Sequence, residues 1–309
     1  MSTATVSRSD DKVSVRAGRT RRKLNSIEGF DVFVFIFLTL FGILIFWPFY
    51  SAVLSSFVNP RDFARNPAML IPTSVTFDNY RAIFVHNLIF LAYRNTIIIT
   101  FFGTAYSLFL TVTMAYGFAQ PSFPGKKLFF SLVLFTMFFG GGLIPFYLLV
   151  RTLGLMGHLP GLIVMSGLSI FFMVIMKGSF EQIPDSLRES AKIDGANDIL
   201  IFWKIMLPLQ KPMLATFTLF FAVGRWNEWF LPLLMLNDAR LWPLQVILRS
   251  IVNSIAILDT AAISALEIEI FPTGIRMAAV VVTMLPIMLF YPFLQKYFAK
   301  GMMVGAIKM

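Results

Sequence analysis

Five stretches of this chain, residues 32–60, 95–125, 128–150, 152–176 and 277–295, run for 19 to 31 residues without one formally charged side chain. About 20 apolar helical residues cross a bilayer core of ~30 Å, so each stretch is long enough to span a membrane or nearly so. A sixth, residues 212–237, is equally apolar except for Arg225 and Glu228. Interior charges of that kind face a bundle interior or a watery cavity rather than lipid. Hydrophobic residues make up 57% of the 309, far beyond the needs of one soluble core of that length. The expected fold class is therefore all-α: a polytopic membrane protein with six transmembrane helices. Residues 1–30 form a basic arm, 31–295 the membrane domain and 296–309 a tail.

Lysine and arginine set the orientation. With the N-terminus inside, 17 basic residues fall on the inner side and 8 on the outer, with Arg225 inside a span. The chain reads as N-in and C-in. The net charge of +10 is then a topological excess and not a nucleic-acid footprint. The basic arm does not read as a signal peptide, because the uncharged stretch after it is too long for an h-region and ends without a small-residue cleavage site. Cysteine is absent, which excludes disulfides and thiolate metal sites. Of the outer segments, the first should be irregular and then helical from about Asp78, and the second should hold a helix lying along the surface.

The inner loop at 178–211 interrupts this apolar chain with Glu189, Lys192, Asp194, Asp198 and Lys204. It has two helix-like runs around Gly195. An N-cap is expected within 183–186, and Pro208 should stop the second run. Ala191, Gly195, Ala196 and Ile199 share helical spacing and would make one small, smooth face. A solvated loop with helical turns gives the same pattern. The spacing Glu189-Ser190-Ala191, Gly195, Ile205-Met206-Leu207-Pro208 resembles the EAA motif of the membrane subunits of binding-protein-dependent ABC importers, with Ser190 where alanine is commoner. The resemblance implies a type I ABC importer permease fold in a bacterial inner membrane. It also implies that this loop is a coupling helix seated in a cleft of an ATPase subunit, with Glu189, Ser190, Ala191, Asp194, Gly195, Ala196, Ile205, Leu207 and Pro208 as its contact set.

The likeness extends along the chain. Asp78-Asn79-Tyr80, Asn95-Thr96, Trp226-Asn227-Glu228-Trp229, Pro243-Leu244-Gln245, and Gln295 to Phe298 with Gly301, Gly305 and Ala306 are similar to the six-helix side of the maltose-type, carbohydrate-uptake branch. Residues 140–145, Gly-Gly-Gly-Leu-Ile-Pro, resemble members linked to complex oligosaccharides. The implied partners are a homologous permease subunit in a heterodimer, two ATPase subunits, an external substrate-binding protein, an oligosaccharide and membrane lipid, with no nucleic acid. No cofactor is expected on this chain, since ATP and Mg would sit on the ATPase subunits. The tail is expected to extend toward them.

Arg225, Trp226, Asn227, Glu228 and Trp229 are the candidate pathway residues. Mid-span, Arg225 would cost ~2.5 to 3.5 kcal/mol against hydrocarbon, so it should face a cavity or pair with Glu228. Facing the pathway, it would favour an acidic, uronate-containing sugar. Trp226 and Trp229 could stack on pyranose faces or simply pack the bundle. His86 and His158 stand far apart, and 124–127, Pro-Gly-Lys-Lys, lacks the glycine and hydroxyl of a phosphate loop. The chain is therefore not expected to hydrolyse ATP itself. A proton-coupled carrier using Glu228 and a membrane-embedded sugar-processing enzyme are the competing readings.

Overall fold

A computed structural model describes residues 29–66, 69–72, 74–85, 87–253 and 271–306, with backbone only from residue 290 onward. The described residues are almost wholly helical. The chain divides into two compact units, Met1–Phe49 and Tyr50–Met309. The described part of the first is the start of α1 (Gly29–Ser56), where Phe33, Phe37 and Phe41 stack in an i, i+4 ladder with 6.2 Å between centroids. The basic arm at 1–28 lies outside the described residues.

The second unit is organised on α4 (Leu88–Ala119), whose 32 residues rise about 48 Å. Its pattern is inverted relative to a soluble helix. Asn95, Thr96, Thr104, Ser107 and Thr111 are buried, while Phe90, Ile97, Phe101, Phe102 and Phe109 are exposed. Lipid is as apolar as leucine, so small and polar side chains turn inward and greasy ones outward.

Position along α4 shows how the other elements run. Near its start, Ile99 clusters with Val150, Leu162, Met235 and Leu236. Near its end, Val112, Ala115 and Phe118 cluster with Met173, Met176, Phe180, Ile201 and Phe217. The chain between Phe130, beside Phe118, and Val150, beside Ile99, therefore travels the length of the bundle. So does the chain from Leu162 to Met176, and again from Phe217 to Met235. Three helices are long and apolar enough to cross a membrane alone, and the count reaches up to six if each of three bent pairs is one span.

Three of the expected spans are broken within the membrane domain. Residues 128–150 are two helices, α5 (Lys126–Phe138) and α6 (Leu143–Thr152), bent by 115°. The break holds Gly140 and Gly141 and ends at Gly142 with φ +87, a backbone state closed to most side chains. Next, α7 (Leu159–Met165) and α8 (Ile170–Glu181) bend by 54°. His158 caps α7, accepting from the Gly161 amide at 3.0 Å, an ordinary structural role. His86 lies outside the described residues. In the fifth span, the helix from Lys211 stops at Asn227 and resumes at Phe230.

The outer segments supply α2 (Pro60–Arg65) and α3 (Asp78–Phe84), the latter beginning where expected. Residues that carried the family likeness are tie points here. Asn79, buried, donates to the carbonyls of Ser56 and Val58 at 3.0 and 3.2 Å. Asn95 donates to the carbonyls of Arg240 and Trp242, and Thr96 accepts from the Leu244 amide at 2.8 Å. Met235 accepts from the Gly157 amide at 2.9 Å at the same end. The last helix runs Pro272–Ala306, so the tail is helical up to Ala306 and not extended. Residues 254–270 and 307–309 lie outside the described residues.

Candidate functional site

Two regions concentrate the polar groups singled out in the sequence. The first is the loop after α8. Its first helix, α9 (Asp185–Ile193), begins after Pro184 with no side-chain cap, contrary to expectation, because proline at that position has no donor or acceptor side chain to offer. It ends in a Schellman motif. The Ala196 amide donates to the Ala191 carbonyl at 2.9 Å, the Gly195 amide donates to the Lys192 carbonyl at 3.0 Å, and Gly195 lies at φ +81. That left-handed residue is why a glycine stands here. The second helix, α10 (Asp198–Leu209), starts under Asn197, whose Oδ1 accepts from the Leu200 amide at 2.8 Å.

Pro208 does not stop α10. The helix widens into a π turn over Phe202–Met206, where the Leu207 amide reaches back to the Phe202 carbonyl. A proline ring clashes with the carbonyl four residues before it in a regular helix, and the wider turn next to Pro208 relieves that clash. The chain then turns 79° at Gln210 into α11 (Lys211–Asn227). Gln210 closes the loop at its base. Its Nε2 donates to the Ser179 carbonyl at 3.0 Å, and Ser179 Oγ donates to Gln210 Oε1 at 2.6 Å. Lys126 and Lys177 both pair with Glu181 beside it, at 3.0 and 2.7 Å.

The expected small face is divided by this geometry. Ala191 is buried in the chain's own core, and Ala196 packs on the same cluster, with Ile205 and Leu207. Glu189, Ser190, Asp194 and Gly195 are exposed, and Pro208 is half-buried. Ile199 is 70% exposed and Ile193, which the sequence reading passed over, 87%. Helical spacing alone identifies which residues share a face. Which of two faces the bundle covers is a tertiary outcome.

The second region is the break between α11 and α12 (Phe230–Met235). Arg225 lies against Gly103 of α4, where an added Cβ would come within 3.3 Å of Arg225 Cδ. Its Nη2 donates to Ser107 Oγ at 3.0 Å and to the Ser166 carbonyl at the end of α7. The expected pair with Glu228 does not form. Glu228 leaves the helix at ψ 124, which destroys the i, i+3 relation, and its Oε1 caps α12 by accepting from the Phe230 and Leu231 amides at 3.1 and 3.2 Å. Trp226 packs against the cluster of Leu244, Ile247 and Ala92, a bundle-packing role.

Trp229 was proposed from the sequence as a sugar platform, but its ring face is covered by Arg249, with the guanidinium carbon 3.8 Å from the ring centroid. Arg249 belongs to α13 (Leu244–Asn253), the surface helix expected in this segment. Leu244, Val246, Ile247 and Ile251 turn inward from it, while Arg249 is exposed. Gln245, one turn before Arg249, donates to Asn227 Oδ1 at 3.3 Å. Sequence reasoning missed Arg249 because it lies twenty residues from Trp229. The only available signal was a cation and an amide spaced i, i+4 on a largely apolar helix.

Comparison with known proteins gives a consistent set of relatives. A family model described as "Binding-protein-dependent transport system inner membrane component" matches residues 89–304. Protein LplC of Bacillus subtilis is 41% identical over 280 residues, covering 90% of this chain and 95% of LplC. The polygalacturonan/rhamnogalacturonan transport system permease protein YtcP of the same organism is 39% identical, covering 90% and 98%. Among solved structures, a bacterial ABC transporter involved in the import of the acidic polysaccharide alginate superposes with a TM-score of 0.82 at 32% identity, covering 89% of this chain and 98% of that one.

Proposed function

The chain belongs to the family of binding-protein-dependent transport system inner membrane components, and from that premise we propose that it is one permease half of an ABC importer for acidic, uronate-containing oligosaccharides. The chain is a membrane permease and not an enzyme, in keeping with its family and with YtcP, which is named a transport system permease. The observation that carries the cargo class is the close structural likeness to an importer of an acidic polysaccharide, which a second relative named for polygalacturonan supports.

The assembly we propose pairs this chain with a homologous permease subunit, two ATPase subunits that hold ATP and Mg, and an external binding protein that delivers the sugar. Closure of the ATPase dimer would move the 182–209 loop and tip the bundle between inward-facing and outward-facing states. The loop suits that task because both its ends are fixed at one point, Ser179 against Gln210, so a push on α9 is passed to α8 and α11 together. Glu189, Ser190, Asp194 and the exposed Ile193 and Ile199 present the surface for the ATPase cleft. Ala191, Ala196, Ile205 and Leu207 act from behind it by seating the loop on the bundle. Glu228, the one attractive proton site for a secondary carrier, is occupied in capping α12.

The test is purification of this chain from its native membrane, followed by uptake of oligogalacturonate into proteoliposomes carrying the purified assembly. A second permease and an ATPase should accompany it, and uptake should require both ATP and the binding protein. Uptake driven by a proton gradient without ATP would replace this reading with the carrier.

A further inference from the structure

If the cargo is acidic, the chain should offer it a cation, and the sequence pointed to Arg225. The geometry moves that role elsewhere. Arg225 already donates to Ser107 and to the Ser166 carbonyl, and it lies between α4 and α7 against Gly103. Its Nη2 is committed within the bundle, and the side chain is half-buried there.

Arg249 is placed differently. Its guanidinium lies on Trp229, and among the described residues no carboxylate or carbonyl accepts a hydrogen bond from it. The nearest acid in sequence to Trp229, Glu228, has its Oε1 engaged by the amides of α12. A guanidinium held against a ring keeps its N–H edge pointing outward, and that edge matches the two oxygens of a carboxylate. The stack also holds the long side chain in one place before any ligand arrives, which lowers the ordering cost of binding. Gln245 stands one helical turn away on the same edge of α13 and is joined to Asn227, so amide groups flank the cation.

Depth supports the assignment. Arg225 sits against Gly103 and Ser107, the middle of α4, and the break at Glu228 lies beyond it toward the end where Met235 meets Ile99. Trp229 and Arg249 therefore occupy the outer half of the span region, where cargo released by a binding protein would first meet the permease. An exposed arginine with amide neighbours at that depth faces a water-filled space or a partner subunit, since lipid would penalise it. We propose that Arg249, laid on Trp229 and flanked by Gln245 and Asn227, is a subsite that binds the carboxylate of a hexuronate unit during translocation. This rests on the acidic-oligosaccharide reading above.

The test uses the complete importer in proteoliposomes, loaded through its own binding protein. Native complex is first offered trigalacturonate and the neutral galactotriose. Preference for the neutral sugar would overturn the acidic reading and this subsite with it. With an acid-preferring native complex, Arg249→Gln should lower trigalacturonate turnover at saturating binding protein by at least about tenfold, the scale of a lost charge-assisted pair. Arg249→Lys, which keeps the charge and loses the fork, should recover part of it. Labelled trigalacturonate retained by the vanadate-trapped complex should fall in the same order, from native through Lys to Gln. Native-like turnover and retention in Arg249→Gln would sink the subsite while leaving the importer reading intact. Loss of the partner permease from the purified Arg249→Gln complex would also overturn it, making Arg249 an interface residue.

Discussion

At the scale of single residues, two arginines twenty-four positions apart divide between structure and recognition. Arg225 is held by Ser107 and by the Ser166 carbonyl at the meeting of α4, α7 and α11. Replacing it with methionine keeps most of the volume, removes a buried charge and leaves Ser107 Oγ and one carbonyl without that donor. Unmet buried groups cost about 1 to 3 kcal/mol each, although removal of the charge's own desolvation offsets part of that. The expected outcome of Arg225→Met is a lower thermal midpoint in detergent with the preference for trigalacturonate over galactotriose retained. Loss of that preference, with the midpoint unmoved, would return the acid-reading role to Arg225. That a charge sits mid-span was legible because nothing else in residues 212–237 but Glu228 is charged. Its partners were not legible, since Ser107 and Ser166 lie 118 and 59 residues away and only the packing of three helices brings them within reach.

At the scale of elements, the 182–209 loop shows how a short motif can be located in the sequence while the backbone conformation it encodes is not. The pattern from Glu189 to Pro208 marks the loop, and within the chain itself Gly195 answers a backbone requirement and not a packing one. Nothing lies within 4 Å of where its Cβ would be, and the requirement is its φ of +81. For a β-branched side chain that conformation costs roughly 1 to 3 kcal/mol, enough to unwind the Schellman turn and misdirect α10. Gly195→Val should therefore insert and assemble with its partners, yet lose both transport and cargo-stimulated ATP hydrolysis. Gly195→Asn should lose far less, because asparagine tolerates the left-handed region. An overpacking origin predicts instead that harm follows side-chain volume, with asparagine nearly as harmful as valine. The base of the loop makes a second test. Gln210→Leu removes both hydrogen bonds to Ser179, leaving the excursion attached but no longer clasped. ATP hydrolysis should continue while sugar moved per ATP falls severalfold. An unchanged ratio would show that the clasp does not carry the motion.

At the scale of the whole molecule, the number of crossings was legible because absence of charge over ~20 residues is a sufficient physical condition for a span. The breaks within spans were not, because an apolar stretch of 23 residues satisfies that condition whether straight or bent by 115°. The bend between α5 and α6 leaves a real alternative, a re-entrant hairpin that returns to its own side. The clusters along α4 argue against it. Residue 130 packs by Phe118 and residue 150 by Ile99, nineteen residues and about 28 Å apart along that helix. A hairpin would bring both to one level. The chain has no cysteine, so single cysteines can be placed without background. Lys127, Arg151, Ser186 and Arg240 are all exposed. With a membrane-impermeant maleimide on sealed, right-side-out vesicles, Arg151→Cys and Arg240→Cys should label from outside. Lys127→Cys and Ser186→Cys should label only after the membrane is opened. Labelling of residues 127 and 151 from the same face would make 128–150 a re-entrant loop and reverse the sidedness of one flank of the bundle. The coupling loop and the Arg249 subsite could not then both face the partners assigned to them.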